Sequence, residues 1–263
     1  MQDLRITFVQ ADQIWEDKTA NLKHYEALLK PVTATDLILL PEMFQTGFSM
    51  NTGSLAENME NSPGISWLKQ QAAEKNAAFY TSLIIEEDGN YYNRGVFIAP
   101  SGDITCYDKR KLFGMAEESD HFTAGTKEVI VDYLGWRINL QICYDLRFPE
   151  NCRNGEIDGE AVYDVLLYVA NWPERRIKHW SVLLPARAIE NQCYVAGLNR
   201  VGRDNLGLSY NGQSKLINLF GEEISNLSDT ESVITCSISY LELKQSREKL
   251  PFLKDSNYRL FRN

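Results

Sequence analysis

The chain has 263 residues, of which 44% are hydrophobic and 24% charged, so it can bury a large core without disulfides, metals or a partner. Its formal net charge of -9, and the absence of any basic run longer than residues 109–111, argue against nucleic-acid binding. Five widely spaced cysteines without a Cys-x-x-Cys pair indicate neither a disulfide framework nor a zinc site. No apolar run is long enough to span a bilayer and no signal-peptide pattern opens the chain, so a cytoplasmic protein without membrane contact is expected.

The first part of the chain alternates between strand and helix patterns. Period-2 alternation predicts a strand over Leu4–Gln10, and apolar residues at helical spacing predict a helix that ends before Pro31. A short apolar strand at residues 37–40, a helix marked by Ile65, Leu68 and Ala72, and a strand at residues 79–85 follow. Strands that alternate with helices are typical of α/β proteins.

Turn sequences then change the pattern. Asp88-Gly89-Asn90 and Pro100-Ser101-Gly102-Asp103 separate short strands and predict hairpins, so the sheet is expected to be mixed. The remaining predicted elements are strands at 138–142, 164–170, 193–199, 215–219 and 233–238, a helix at 180–192, and a polar tail from about residue 250. Because no repeat, low-complexity stretch or linker interrupts the chain, residues 1–263 are interpreted as a single domain.

Three potentially reactive side chains follow predicted strands. Glu42 comes after the strand at 37–40, Lys109 after the strand that begins at Ile104, and Cys143 after the strand at 138–142. The carboxyl ends of strands form the edge at which α/β folds expose functional side chains. A thiol, a carboxylate and an ammonium can act as nucleophile, proton acceptor and oxyanion partner.

Each of these residues also has an ordinary structural interpretation. A cysteine in an apolar strand is usually a small core residue, and a glutamate after Leu-Pro is usually solvated or a helix cap. A lysine in a Lys-Arg-Lys run is usually surface charge. Taken singly, therefore, none of the three establishes a site.

The order of the surrounding segments is more specific. The segments Leu39-Leu40-Pro41-Glu42-Met43-Phe44, Tyr107-Asp108-Lys109-Arg110-Lys111-Leu112-Phe113 and Ile142-Cys143-Tyr144-Asp145-Leu146-Arg147-Phe148-Pro149-Glu150 resemble the motifs of the nitrilase (carbon-nitrogen hydrolase) superfamily. Asn93-Arg94, Ala170-Asn171-Trp172-Pro173 and Ala186-Arg187-Ala188-Ile189-Glu190-Asn191-Gln192 extend the resemblance over almost the whole chain and look most like the omega-amidase branch. This resemblance implies an α/β fold, a four-layer α-β-β-α sandwich with mixed sheets, and a Glu-Lys-Cys triad.

The resemblance also distinguishes between neighbouring candidates. The family's catalytic lysine stands three positions before a leucine, so Leu112 selects Lys109 and leaves Lys111 as a rim or structural charge. A second active-site glutamate lies about eight residues beyond that lysine in the family. Glu117 matches this position, and the adjacent Glu118 is the alternative.

The implied reaction is amide hydrolysis through a cysteine thioester. Cys143 would attack as a thiolate favoured by the Lys109 ammonium, while Glu42 takes the thiol proton and later passes a proton to departing ammonia. Lys109 and the backbone N–H of Tyr144 would hold the oxyanion. Water then hydrolyses the thioester with Glu42 as base, and Glu117 helps to position substrate or water. No metal or organic cofactor has a role in this scheme.

The omega-amidase resemblance implies small dicarboxylate monoamides such as 2-oxoglutaramate and 2-oxosuccinamate as substrates. Their distal carboxylate needs a cation, for which Arg175 and Arg176 are candidates and Arg176 is preferred; a solvated position at a helix start is the alternative for both. The further expectations are a pocket walled by Phe44, Phe48 and Trp172, and a structural ion pair between Asp145 and Arg147.

Several alternatives remain open at this point. The same residues also fit a catalyst for a nitrile, an N-carbamoyl amino acid or an aliphatic amide. A non-catalytic binding or scaffold protein is the alternative from another class. Cys143 and Cys152 are nine residues apart, which allows redox sensing, and three isolated histidines allow a Cys-His dyad only through long-range contact. The resemblance implies a homodimer or a larger homo-oligomer.

Overall fold

In the computed structural model of the chain, residues 2–225, 227 and 229–256 are described. The strands are β1 (Leu4–Gln10), β2 (Leu37–Leu39), β3 (Glu57–Asn58), β4 (Ala78–Glu87), β5 (Asn90–Ile98), β6 (Ile104–Asp108), β7 (Ile130–Tyr133), β8 (Trp136–Ile142), β9 (Glu156–Ile157), β10 (Glu160–Ala161), β11 (Val165–Val169), β12 (Tyr194–Leu198), β13 (Val201–Arg203), β14 (Ser209–Asn211), β15 (Lys215–Ile217) and β16 (Ser232–Ile238). The α-helices are α1 (Lys18–Leu29), α2 (Thr52–Leu55), α3 (Pro63–Lys75), α4 (Glu118–His121), α5 (Ile177–Asn191) and α6 (Tyr240–Lys249).

Two mixed sheets carry the fold. The first has the order β16-β1-β2-β4-β5-β6, with β3 beside β4, and the second has the order β15-β12-β11-β8-β7. Strands β1, β2 and β4 are parallel, as are β8, β11 and β12, while the hairpins add antiparallel neighbours at the edges. The predicted mixed character of the sheet is therefore confirmed.

The sheets pack face to face between two helical layers. One apolar cluster joins side chains of both sheets, for example Phe8 and Tyr80 from the first with Leu140 and Leu167 from the second. A second cluster fills the space between the outer face of the first sheet and helices α1 and α3, and α5 packs against β12 and β15 of the second sheet. The four-layer α-β-β-α sandwich expected from the resemblance is confirmed.

Local sequence signals set several element ends. Helix α3 begins where Ser62 Oγ accepts the backbone N–H of Ile65 at 2.9 Å and Pro63 occupies the first turn, and it ends at Asn76 in a left-handed conformation (φ 49°). Helix α6 had no counterpart in the sequence prediction. Only Leu243 of its residues is buried, so the apolar stripe that marks a helix in sequence is missing.

The chain after residue 250 was predicted to be a polar tail. Residues Phe252–Asp255 instead form a 3₁₀ turn, in which Leu253 is buried and its backbone N–H donates to Gln192 Oε1 at 3.2 Å. The remainder of that predicted tail, residues 257–263, lies outside the described residues. None of the described helices has the length and apolar content needed to cross a bilayer.

Candidate active site

The turn after β2 holds Glu42 in a constrained position. Met43 has a left-handed backbone (φ 46°), which costs free energy for a non-glycine residue unless its surroundings stabilise it. Gln13 Nε2 donates to the main-chain carbonyls of Glu42 and Met43 at 3.0 and 3.1 Å, and Asn171 Nδ2 donates to that of Glu42 at 2.6 Å. These donors come from the ends of β1 and β11, so both sheets fix the turn.

The Glu42 carboxylate is fully buried and hydrogen-bonded on both oxygens. Oε1 accepts from Lys109 Nζ at 2.9 Å and from Asn93 Nδ2 at 2.8 Å, and Oε2 accepts the backbone N–H of Asn171 at 2.9 Å. A buried carboxylate with such partners has one fixed orientation. The sequence-predicted contact between Glu42 and Lys109 is therefore present.

Lys109 lies between two carboxylates. Its Nζ donates to Glu42 Oε1 at 2.9 Å and to both oxygens of Glu118 at 2.9 Å, and the ammonium lies 5.1 Å from the centroid of the Phe48 ring. Burial disfavours the charge, but Glu118 and Glu42 outweigh it and the pKa of Lys109 is raised. Lys109 is thus an ammonium at neutral pH.

Of the two candidates for the second glutamate, Glu118 is the one that contacts Lys109. Glu118 is fully buried and, besides Lys109, accepts from Asn93 Nδ2 at 3.1 Å and from the backbone N–H of Phe113 at 2.5 Å. Glu117 has an exposed side chain at the cavity rim and a left-handed backbone (φ 56°). That conformation reverses the chain direction, so Glu118, the first residue of α4, contacts Lys109 while Glu117 does not.

Cys143 stands at the end of β8, where a 3₁₀ helix over Cys143–Arg147 begins. Its backbone is left-handed (φ 43°), a strained conformation that turns the side chain out of the strand direction. The Asp145 carboxylate stabilises the bend by accepting the backbone N–H groups of Ile142 and Lys111, both at 3.0 Å, and the Tyr107 hydroxyl at 2.7 Å. The nucleophile candidate therefore lies at a bend that is held by buried hydrogen bonds.

The charges of Glu42 and Lys109 both act on the thiol of Cys143. Burial and the Glu42 charge raise the pKa of Cys143 well above its usual range, and Lys109 opposes this only in part. The resting state is consequently a neutral thiol. A thiolate therefore forms only when a base such as Glu42 removes the proton during attack.

A cavity of about 320 Å³ opens beside the thiol. The predicted site residues that line it are Phe48, Lys109, Glu117, Cys143, Tyr144, Trp172 and Arg176. Phe44 is not among the lining residues, contrary to expectation: it is fully buried behind Glu42 and stacks on Trp67 at 5.8 Å. Phe48, four residues later, borders the cavity instead.

Three guanidinium groups surround the cavity, and no carboxylate of the described residues forms an ion pair with them. They belong to Arg147, Arg175 and Arg176. Arg176 lies 5.0 Å from the centroid of the Phe113 ring, and its pKa is lowered by partial burial and by the charges of Arg175 and Arg147. The carboxylates that also line the cavity form no ion pair with these arginines, so the guanidinium groups can bind an anionic ligand.

Arg147 does not form the expected ion pair with Asp145. The Asp145 carboxylate is occupied by buried donors, among them Asn151 Nδ2 at 3.0 Å. Arg147 instead stacks on Trp172 at 4.6 Å from the ring centroid, and its Nη2 lies 3.1 Å from His179 Nδ1. Arg147 is thereby a third cationic residue of the cavity wall.

Several residues of the site had no role predicted from the sequence. Asn93, which bridges Glu42 and Glu118, was noticed only as part of an Asn-Arg pair, although that pair precedes the Lys109 motif. Tyr210 and Leu206, from the β13–β14 hairpin, also line the cavity and had no sequence signal. Among the described residues, no group of three or more His, Cys, Asp or Glu side chains is arranged to hold a metal ion.

The chain matches known proteins over nearly its full length. The sequence profile described as carbon-nitrogen hydrolase matches residues 5–248. The chain is 42% identical over 258 residues to the omega-amidase YafV of Escherichia coli strain K12, covering 98% of both chains. It is 31% identical to the 2-oxoglutaramate amidase of Bacillus subtilis strain 168, covering 95% of this chain and 96% of the relative.

Solved structures agree with the fold and the family. XC1258 of Xanthomonas campestris, described as a CN-hydrolase superfamily protein with an arsenic adduct in the active site, superposes with a TM-score of 0.95 at 41% identity over 98% of both chains. Nit3 of Saccharomyces cerevisiae, a member of branch 10 of the nitrilase superfamily, shares the fold with a TM-score of 0.81 at 22% identity over 96% of both chains. On these grounds the chain belongs to the carbon-nitrogen hydrolase family.

Proposed function

We propose that this protein is an omega-amidase that hydrolyses the terminal amide of small dicarboxylate monoamides to the acid and ammonia. One observation carries the proposal: Cys143 and Lys109 line a cavity, Lys109 is paired with the buried Glu42, and the cavity wall holds arginines without ion-pair partners among the described residues. The first group of residues suits attack on an amide. The second suits a carboxylate elsewhere on the same small molecule.

The first half-reaction begins from the neutral thiol. As Cys143 Sγ attacks the amide carbon, its proton passes to Glu42, the carboxylate whose charge acts most strongly on the thiol. The oxyanion is stabilised by the Lys109 ammonium and by the backbone N–H of Tyr144, which lies in the first turn of the 3₁₀ helix where helical N–H groups lack intrahelical acceptors. Glu42 then returns the proton to the nitrogen, the C–N bond breaks and ammonia departs.

Water completes the reaction by attacking the thioester carbon. Glu42 removes a proton from this water, and the C–S bond breaks as the thiol is regenerated. Glu118 holds Lys109 against Glu42 throughout, since all three side chains are buried and joined by 2.9 Å contacts. The proposed catalytic set is thus Glu42, Lys109, Cys143 and Glu118.

The substrate class follows from the cavity and the relatives. The relatives named as omega-amidase and 2-oxoglutaramate amidase act on amides according to their names. The cationic wall suits the distal carboxylate, and Phe48 and Trp172 provide apolar walls for a short carbon chain. We therefore propose 2-oxoglutaramate and 2-oxosuccinamate as substrates, with Arg147 joining Arg176 as a carboxylate partner.

A substrate panel tests this assignment. Ammonia release is measured from 2-oxoglutaramate, from glutamine and from a neutral aliphatic amide, alongside hydrolysis of a simple nitrile and an N-carbamoyl amino acid. The proposal predicts the highest kcat/KM for the keto-acid amide. Equal or higher activity with the nitrile or the N-carbamoyl compound would favour another branch of the family and contradict the proposal.

The assembly and location of the enzyme are also proposed. Helix α5 exposes Val182 and Ile189, two turns apart, near the exposed Phe220, and such an apolar face suits a homodimer contact. Light scattering of the purified protein, compared with Val182→Lys, tests this. All five cysteines are free thiols, as is usual for proteins in a reducing compartment. We therefore propose that the protein acts in the cytoplasm, as a single catalytic domain.

A further inference from the structure

Asn171 contacts the proposed general base at two points. Its backbone N–H donates to Glu42 Oε2 at 2.9 Å, and its side-chain Nδ2 donates to the Glu42 main-chain carbonyl at 2.6 Å. The second contact fixes the orientation of the amide, because a flipped side chain would place its oxygen against the carbonyl oxygen of Glu42. The identity of the remaining atom, Oδ1, is therefore determined.

Asn171 Oδ1 is a buried acceptor with no hydrogen-bond partner among the described residues. The residue is 4% exposed and belongs to the wall of the cavity that contains Cys143. An unpaired buried acceptor carries a desolvation cost, and in native proteins such groups generally have a partner in the functional state. The amide substrate of the proposed reaction brings N–H donors into this cavity.

The position of Asn171 matches that of the leaving nitrogen. Glu42 must lie beside the substrate nitrogen in order to protonate it, and Asn171 is in direct contact with Glu42. Lys109, which faces the oxyanion in the proposed mechanism, contacts the other oxygen of Glu42. The substrate nitrogen would therefore lie near Asn171 and the oxyanion near Lys109, on either side of the Glu42 carboxylate.

We infer that Asn171 Oδ1 accepts a hydrogen bond from an N–H of the substrate amide and thereby selects amides over esters and nitriles. The inference rests on the proposed amidase function and adds a specificity-determining contact to it. A primary amide carries two N–H donors, and one stays on Oδ1 while Glu42 delivers the third proton that makes ammonia. An ester oxygen or a nitrile nitrogen has no donor for Oδ1 and leaves the acceptor unpaired.

Asn93 provides an internal contrast. Its Oδ1 is also buried without a partner among the described residues, and its Nδ2 also contacts Glu42. However, Asn93 is not part of the cavity wall, so its oxygen is not offered to a ligand there. The combination of a fixed orientation, an unpaired oxygen and a place in the cavity wall is found at Asn171.

The test compares two variants that both remove a donor from the Glu42 carbonyl. Asn171→Ala removes that donor together with the cavity acceptor, whereas Gln13→Ala removes a donor and leaves the cavity wall intact. Values of kcat/KM are measured for a dicarboxylate monoamide and for the monomethyl ester of the same acid. The amide-to-ester ratio should fall about tenfold in Asn171→Ala, the worth of one hydrogen bond, and change by less than about twofold in Gln13→Ala.

The possible results distinguish failure of the Asn171 contact from failure of the proposed amidase function. If Asn171→Ala slows amide and ester by the same factor, Asn171 only positions Glu42 and the inference is refuted. If the wild type hydrolyses neither compound, the proposed function itself fails and the inference with it. Should Asn171→Ala not fold, Asn171→Ser serves for the same ratio.

A structural measurement is independent of the variants at Asn171. In a crystal of Cys143→Ala with the monoamide bound, the substrate nitrogen should lie about 3 Å from Asn171 Oδ1. A nitrogen that is beyond hydrogen-bond reach of Oδ1 would overturn the inference.

Discussion

Replacing Glu118 with glutamine should slow the enzyme strongly. Glu118 accepts two bonds from Lys109 Nζ and one from the backbone N–H of Phe113. A glutamine keeps one acceptor oxygen, and its new NH₂ must face one of these donors. The loss of one charge-assisted hydrogen bond, about 1.5–3 kcal/mol, corresponds to a fall in kcat/KM of roughly 10- to 150-fold.

Glu117→Gln is the matched control, because it makes the same chemical change at the adjacent, exposed residue. Because Glu117 makes no contact with Lys109, the kcat/KM of Glu117→Gln should stay within about threefold of the wild type. Its free energy of unfolding should change by less than about 0.5 kcal/mol, as for most surface substitutions. Steady-state ammonia release with a monoamide measures both variants, and thermal unfolding shows whether each is folded. A Glu117→Gln defect as large as that of Glu118→Gln would refute the placement of Glu118 as the partner of Lys109.

Three further results are expected. Arg147→Leu and Arg176→Leu should each raise KM for a carboxylate-bearing amide roughly 10- to 100-fold and leave KM for a neutral amide nearly unchanged. Lys111→Met, which lies outside the cavity wall, is the control. Equal effects on both amides would exclude a carboxylate contact. Because the pKa of Cys143 is raised, its alkylation by iodoacetamide should be slow at pH 7 and accelerate as the pH rises beyond 9, whereas a plateau reached near neutrality would show a thiolate. Cys152→Ser should retain amidase activity within about threefold, since Cys152 is buried against Tyr168 and away from the cavity wall; loss of activity with intact folding would revive the redox alternative.

Much of the fold was predictable because its signals are local. Alternation in residues 4–10 and turn pairs such as Asp88-Gly89 are properties of a few neighbouring residues, and the predicted strands and helices recur in the structure. Helix α6 was missed because its buried surface is limited to a single side chain, Leu243. Its position is set by tertiary contacts such as Arg247 with Asp164 at 2.6 Å, which no local pattern records.

The site was predictable where a residue follows a strand directly. Lys109 and Cys143 directly follow β6 and β8, and Glu42 lies three residues beyond the end of β2. Glu118 lies instead beyond an irregular loop, where one left-handed residue, Glu117, decides which carboxylate turns inward. The number of residues after Lys109 does not predict where the backbone adopts this conformation, so it could not distinguish Glu117 from Glu118.

The role of Arg147 was hidden for a related reason. Its neighbour Asp145 looked like a natural ion-pair partner, but donors distant in sequence occupy that carboxylate, including Tyr107 and the backbone of Lys111. Competition for an acceptor depends on the complete fold. The cationic wall, and with it the strongest structural support for a carboxylate-bearing substrate, became visible only when these contacts were known.

The most direct test of the central claim is a rapid-quench experiment with 2-oxoglutaramate on the wild type and on Cys143→Ala. Ammonia release is followed by enzymatic assay, and the quenched protein is examined by intact-mass and peptide mass spectrometry. Ammonia release and an acyl adduct on Cys143 are expected with the wild type, and neither is expected with Cys143→Ala. Sustained ammonia release by Cys143→Ala, or an adduct on another cysteine during turnover, would contradict it.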